Sequence, residues 1–210
     1  PGAAVKPREP AGAGRPPRPP RPPRPSQPPG EVRLIGGRFK RSKLPVPGAP
    51  GLRPTPDRVR ETLFNWLGQD LTGWRVLDAF AGSGALGFEA ASRGAAAVTL
   101  LESDGRLVAG LAAVAQRLGA EGVLAQRADA LAWMARAPRG GFELVLLDPP
   151  FDAGLAAPAL ATAAPLLAER GFVYLETAAS DAELPLPAGL EPVRELKAGA
   201  VLARLFRRAA

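Results

Sequence analysis

Four consecutive residues, Asp148-Pro149-Pro150-Phe151, combine one carboxylate, backbone carbonyls with two N–H donors removed by the prolines, and an aromatic ring. That set suits an exocyclic amino group on a heterocycle. Such a nitrogen is a weak nucleophile because its lone pair is delocalised into the ring. Hydrogen bonds from both of its protons, to the Asp148 carboxylate and the Pro149 carbonyl, would favour a pyramidal nitrogen with its lone pair free. Phe151 would stack on the base, a contact worth about 1–3 kcal/mol, and a paired target would have to be extruded from its helix. In an arbitrary chain the same four residues read more simply as an Asp-Pro turn with a core-facing Phe. Their place after the apolar run 144–147, downstream of a glycine-rich turn, favours the chemical reading.

The glycine-rich turn runs from Asp78 through Phe80, Gly82 and Gly84 to Gly87, and opens a predicted helix at the end of a predicted strand. That is where open α/β sheets bind ligands. Gly82, Gly84 and Gly87 satisfy G-x-G-x-x-G, and Glu102 stands twenty residues after Gly82, in position to hydrogen-bond a ribose; taken alone, this is equally a dinucleotide fingerprint. Asp78 shifts the balance, since its charge would repel a pyrophosphate but attract the cationic amine and sulfonium of S-adenosylmethionine. Asp129, after a further strand, could accept from an adenine amino group while the Ala130 N–H donates to a ring nitrogen; a lone Asp there is more often a helix cap.

Alternating strands and helices must hold these turns. Apolar runs at 75–79, 98–102, 123–126, 144–148 and 172–176 read as strands, separated by helices near 84–93, 104–118, 130–136 and 155–169. This alternation predicts an α/β, Rossmann-like fold with a mostly parallel sheet covered on both faces. Residues 192–197 and 201–206 are joined only by a turn containing Gly199, which predicts an antiparallel strand pair closing the sheet. Upstream, Thr55 is expected to cap a helix with Pro56 at its first position, Val59, Leu63, Trp66 and Leu67 on its buried stripe and Gly68 at its end. Residues 32–35 and 38–44 read as a basic β-hairpin around Gly36-Gly37.

The chain has 210 residues with neither Cys nor His. Disulfides, thiolate metal sites and Cys or His catalysis are excluded, and no metal site is expected. Methyl transfer through a pyrimidine ring carbon generally needs a thiolate, so only acceptors with their own lone pair remain. The formal charge of +7 is uneven: residues 1–30 hold six basic and one acidic residue, and residues 31–60 eight and two. The remaining chain is therefore acidic, and the basic arm suits a polyanion; a merely solubilising basic surface is the plainer reading. The repeat Arg15, Arg18, Arg21, Arg24 among the twelve prolines of residues 1–30 reads as a disordered tail. With no apolar span or signal segment, a soluble cytoplasmic protein without a membrane partner is expected.

On these residues the chain resembles the bacterial 16S rRNA guanine-N2 methyltransferases of the D type, in the class I S-adenosylmethionine-dependent superfamily. The resemblance runs from about Val32 to Phe206. It rests on the ordered blocks 32–37, 51–55, 57–66, 78–87 and 148–151. It implies that Asp78, Phe80, Gly82 and Gly84 contact the methionine side of S-adenosylmethionine, Glu102 the ribose and Asp129 with Ala130 the adenine. The helix bearing Phe64 and Asn65 would close over that cofactor. Asp148, Pro149, Pro150 and Phe151 would hold the guanine, and Arg33, Arg38, Lys40, Arg41, Lys43, Arg53, Arg58 and Arg60 would grip RNA. The partner implied is 16S rRNA or the assembling 30S subunit, met by a monomer. The Arg-Pro tail and Pro56 depart from the family pattern. The expected organisation is a tail over 1–30, a basic hairpin and linker over 31–53, and a methyltransferase domain over 54–210. Amino-group methylation of DNA adenine-N6 or of another RNA, a nicotinamide enzyme, and a non-catalytic RNA-binding protein remain the competing readings.

Overall fold

The computed structural model describes residues 30–46, 55–181 and 183–209. Arg53 and nearly all of the predicted tail lie outside these residues. A short antiparallel hairpin comes first, β1 (Gly30–Arg33) with β2 (Lys43–Val46). Then follow α1 (Asp57–Trp66), β3 (Arg75–Asp78), α2 (Ala85–Ser92), β4 (Ala97–Glu102), α3 (Gly105–Leu118), β5 (Val123–Arg127), α4 (Ala130–Met134) and β6 (Phe142–Leu147). The chain continues through a 3-10 turn (Phe151–Ala153), α5 (Ala156–Ala163), β7 (Leu167–Ala178), β8 (Leu190–Ala198) and β9 (Val201–Arg208).

The strand order is β5-β4-β3-β6-β7-β9-β8, with β5, β4, β3, β6 and β7 parallel and β9 antiparallel between β7 and β8. The expected α/β sheet with a terminal antiparallel pair is what forms. Period-two alternation divides each central strand between two cores. Val76, Leu144, Leu146 and Tyr174 face α1, α2 and α3, whereas Leu77, Val145, Leu147, Val173 and Leu175 face α4 and α5.

Two expectations need correction. The helix read over 155–169 stops at Ala163, because Pro165 has no N–H to continue it, and β7 already begins at Leu167. The hairpin does not turn on Gly36-Gly37 either. Residues 34–42 form a longer loop docked on the end of α2, where Phe39 N–H donates to Ser92 Oγ and Arg38 N–H to Ser92 O. Gly37 has φ +71°, and a Cβ there would lie 1.8 Å from Ser92 O; glycine is required for this docking contact.

A buried carboxylate fastens the hairpin. Glu89, fully enclosed in α2, accepts from the Ile35 and Gly36 N–H groups at 2.9 and 2.8 Å and from the Arg93 guanidinium. Arg60, equally enclosed, lies 3.7 Å from Glu89, donates to Arg33 O and pairs with Asp57. Removing one partner of a buried ion cluster strands the other charges, at a cost of about 3–5 kcal/mol. Glu89→Ala is therefore expected to lower the urea-unfolding free energy by about that amount; a loss below about 1 kcal/mol, the scale of an exposed pair, would overturn this account.

Candidate active site

Asp78 ends β3, Asp148 follows β6, and Glu176 lies near the end of β7, three adjacent parallel strands. Asp78 continues the parity of Val76, Asp148 that of Leu146, and Glu176 that of Tyr174, so all three carboxyl groups belong to the face covered by α1 and α2. The pairing of Leu146 with Tyr174, carried two residues on, sets Glu176 abreast of Asp148.

Asp78 is buried, and its Oδ2 accepts from the Gly87 N–H at 2.9 Å while Oδ1 has no hydrogen-bond partner. A Cβ on Gly87 would lie 2.2 Å from Leu100 Cδ2 and 3.1 Å from Asp78 Oδ2, so glycine lets α2 approach that carboxylate. Burial raises the Asp78 carboxyl to about 7, opposed by the backbone hydrogen bond from Gly87, with Glu102 and Glu176 adding repulsion. Burial also pushes Asp148 well above the usual carboxylate range, reinforced by the charges of Glu176 and Asp78 and opposed by a hydrogen bond from Thr55. Glu176 is raised by burial against hydrogen bonds from Tyr174 and Thr55.

Around the Gly82–Gly84 turn, Glu102 Oε2 accepts from the Gly82 N–H at 3.1 Å, and Oε1 accepts from the Ser103 and Asp104 N–H groups. Phe80 is partly buried against the α4–α5 side. Asp129 follows β5, whose Arg127 pairs with Glu102, so Asp129 and Ala130 stand at the same sheet edge. Asp129 also does the plainer job weighed for it, accepting from the Ala132 N–H to cap α4.

Pro149 is buried, Pro150 exposed and Phe151 39% exposed. They border an open groove of about 510 Å³ lined also by Leu155, Glu176, Thr177 and Asp181. Arg204 fastens the far wall by donating to Thr177 Oγ1 and Asp181 O.

Three sequence assignments change. Arg60, expected to grip RNA, is fully buried in the Glu89 cluster and serves as a structural cation. Thr55 makes no helix cap: Pro56 occupies the N-cap of α1, and the Thr55 hydroxyl instead donates to Asp148 Oδ2 at 3.4 Å. Asn65 lies at the opposite end of α1 from Thr55, exposed and bonded to Gln69, which contacts Arg93 beyond the last turn of α2. The Gly82–Gly84 turn precedes the first turn of α2, so Asn65 is not brought to it. Arg33, Arg38, Lys40, Arg41 and Lys43 are exposed around the hairpin, Lys43 paired with Glu31 at 2.8 Å, and Arg58 is exposed on α1. Reading the sequence missed Glu176, Tyr174, Glu89 and Arg93; the one usable signal was the Tyr174/Glu176 parity on a strand next to the one leading to Asp148.

A mostly parallel seven-stranded sheet with this antiparallel end and these two turns at its carboxyl edge defines a Rossmann-like class I methyltransferase fold. Residues 32–207 match the family model described as Conserved hypothetical protein 95, and the chain belongs to that family. It is 40% identical over 183 residues to ribosomal RNA small subunit methyltransferase D of Escherichia coli K12, covering 86% of this chain and 92% of that protein. It is 41% identical over 189 residues to the protein of the same name from Haemophilus influenzae, covering 85% and 94%. Among solved structures it resembles Escherichia coli yhhF, provisionally assigned as a methyltransferase, with 38% identity, a TM-score of 0.77, and coverage of 86% of this chain and 99% of that one.

Between pH 3.8, the ordinary aspartate value, and about 7, the folded chain holds a proton on Asp78 that the unfolded chain has released. Its contribution to stability therefore falls as pH rises through that window and levels off above it. Asp148 and Glu176 act in the same direction. Urea unfolding from pH 4 to 8 is expected to show the decline, and Asp78→Asn to flatten part of it; an unchanged slope in the variant would assign the decline elsewhere.

Proposed function

We propose that this chain methylates the N2 amino group of a guanine in 16S rRNA, using S-adenosylmethionine and acting as a monomer on free rRNA or on the assembling 30S subunit. The observation that carries the reading is that Pro149, Pro150 and Phe151, directly after Asp148, border a groove roomy enough for a base, one strand away from the Asp78 turn. When bound, S-adenosylmethionine supplies an electrophilic methyl group on a sulfonium. The residues present fit it: the buried, unpartnered Oδ1 of Asp78 suits its cationic amine, and Phe80, Gly82 and Gly84 complete the methionine side. Glu102 would hold the ribose, and Asp129 with Ala130 the adenine.

Asp148 and the Pro149 carbonyl hold the two N2 protons, and Phe151, with its exposed ring, stacks on the base and fixes the nitrogen's approach. As nitrogen gains a methyl group it must lose a proton. Asp148, with its carboxyl raised by burial and by neighbouring carboxylates, is a suitable acceptor. The exposed Arg33, Arg38, Lys40, Arg41, Lys43 and Arg58, together with Arg53, supply the phosphate contacts that position rRNA. Among the described residues no helix is long and apolar enough to cross a membrane.

Two measurements test this reading. With radiolabelled S-adenosylmethionine and 30S particles lacking the modification, Asp148→Ala is expected to reduce kcat by roughly 10²- to 10⁴-fold with calorimetric cofactor affinity unchanged; full activity would sink the mechanism. The double variant Arg38→Glu, Lys40→Glu is expected to raise KM for the particle and to lower the slope of log affinity against log salt by about one unit per lost phosphate contact. An unaltered salt slope would remove the hairpin from the RNA interface.

A further inference from the structure

Glu176 is only 2% exposed, yet it forms part of the groove wall beside Pro149, Pro150 and Phe151. Enclosing a carboxylate is costly unless hydrogen bonds compensate it. Tyr174 OH donates to Oε1 at 2.8 Å. The Thr55 hydroxyl donates to Asp148 at 3.4 Å and also helps to hold the Glu176 carboxyl down against burial, but its single proton cannot serve both at once. Two carboxyl groups thus stand abreast, Glu176 on the groove wall and Asp148 directly before the wall residue Pro149, on strands about 4.8 Å apart, with fewer protein donors than acceptor positions. They suit a ligand edge that presents adjacent N–H donors.

Three standard bases carry an exocyclic amine, and the ring atom beside that amine distinguishes them. In guanine the N2 amine adjoins N1–H, a donor. In adenine the amine adjoins bare N1, and in cytosine it adjoins bare N3, both acceptors. A carboxylate next to the one that holds the amine therefore pairs with guanine and opposes a lone pair in the other two.

We propose that Glu176 is the residue that selects guanine: its carboxylate accepts the ring N1–H while Asp148 and the Pro149 carbonyl hold the adjoining N2 amine. This rests on the amino-methylation reading above and adds a base-specificity residue to it. Tyr174 and Thr55 are positioning residues that keep the Glu176 carboxylate at its place on the wall.

2-Aminopurine is the discriminating probe, because it keeps the exocyclic amine but has a bare N1. Once the modified nucleotide is located by mass analysis of the wild-type product, 30S particles are reconstituted with guanine or 2-aminopurine at that position. Methyl transfer is then compared for wild type, Glu176→Gln and Glu176→Ala. Wild type is expected to prefer guanine by roughly 10²-fold or more, because a site built to bond a substrate N–H rejects the analogue that lacks it. Glu176→Gln keeps the side-chain volume and can still accept from Tyr174, leaving its amide NH2 to donate to a bare N1. It is expected to narrow the guanine-to-2-aminopurine ratio by roughly tenfold or more, with transfer to 2-aminopurine rising. Glu176→Ala is expected to narrow the ratio by losing guanine activity. Rates that fall in equal proportion on both substrates, or an unchanged ratio, would overturn the role of Glu176 while leaving the methyltransferase reading intact. Absence of transfer to guanine by wild type would overturn that reading itself.

Discussion

The enclosed carboxylate of Glu89 is the interaction on which the arrangement depends. It accepts two backbone N–H groups from the hairpin loop and binds Arg93, with Arg60 close by. The hairpin contributes only four residues per strand, too little for independent stability. Its backbone amides need a buried acceptor, and α2 supplies one. The same helix begins at the Gly82–Gly84 turn, so a single eight-residue rod links that glycine turn to the basic hairpin. Helix α1 spans the assembly in parallel: Thr55, just before its start, reaches Asp148, Arg60 in its first turns reaches Glu89, and Phe64 stacks on the Arg93 guanidinium.

The carboxyl edge of the sheet is arranged against stability. Asp78, Asp148 and Glu176 crowd one face of three neighbouring strands, where burial and mutual repulsion disfavour full ionisation. Such an edge is relieved by protons or by donors and cations brought in by ligands. A cationic amine beside Asp78 and a base edge rich in N–H beside Asp148 and Glu176 would both supply that relief. The charge segregation follows the same division of labour: the exposed cations of the hairpin suit phosphates, whereas the acceptors at the groove suit the donor edge of a base.

The groove owes its far wall to the antiparallel end of the sheet. Thr177 lies near the end of β7 and Asp181 just beyond it, and Arg204 of β9 ties both in place. The β9 insertion thereby does more than satisfy the open edge of β7: it anchors a segment that lines the same groove as Phe151.

Much of this was legible in the residues themselves. Period-two and helical repeats marked the central elements, and Asp78 through Gly87 and Asp148 through Phe151 announced themselves as turns at strand ends, because hydrophobic alternation and the chemistry of Gly and Pro act over a few residues. What only the tertiary structure decided involved partners distant in sequence. Thr55 and Asp148 are 93 positions apart, and Ile35 and Glu89 are 54 apart. An arginine on α1 reads alike whether it faces phosphate or a buried glutamate, so Arg60 could not be told from Arg58. The pairing of β6 with β7 determines that Glu176 stands beside Asp148, since strand order and register arise from packing across the whole sheet and leave no local trace.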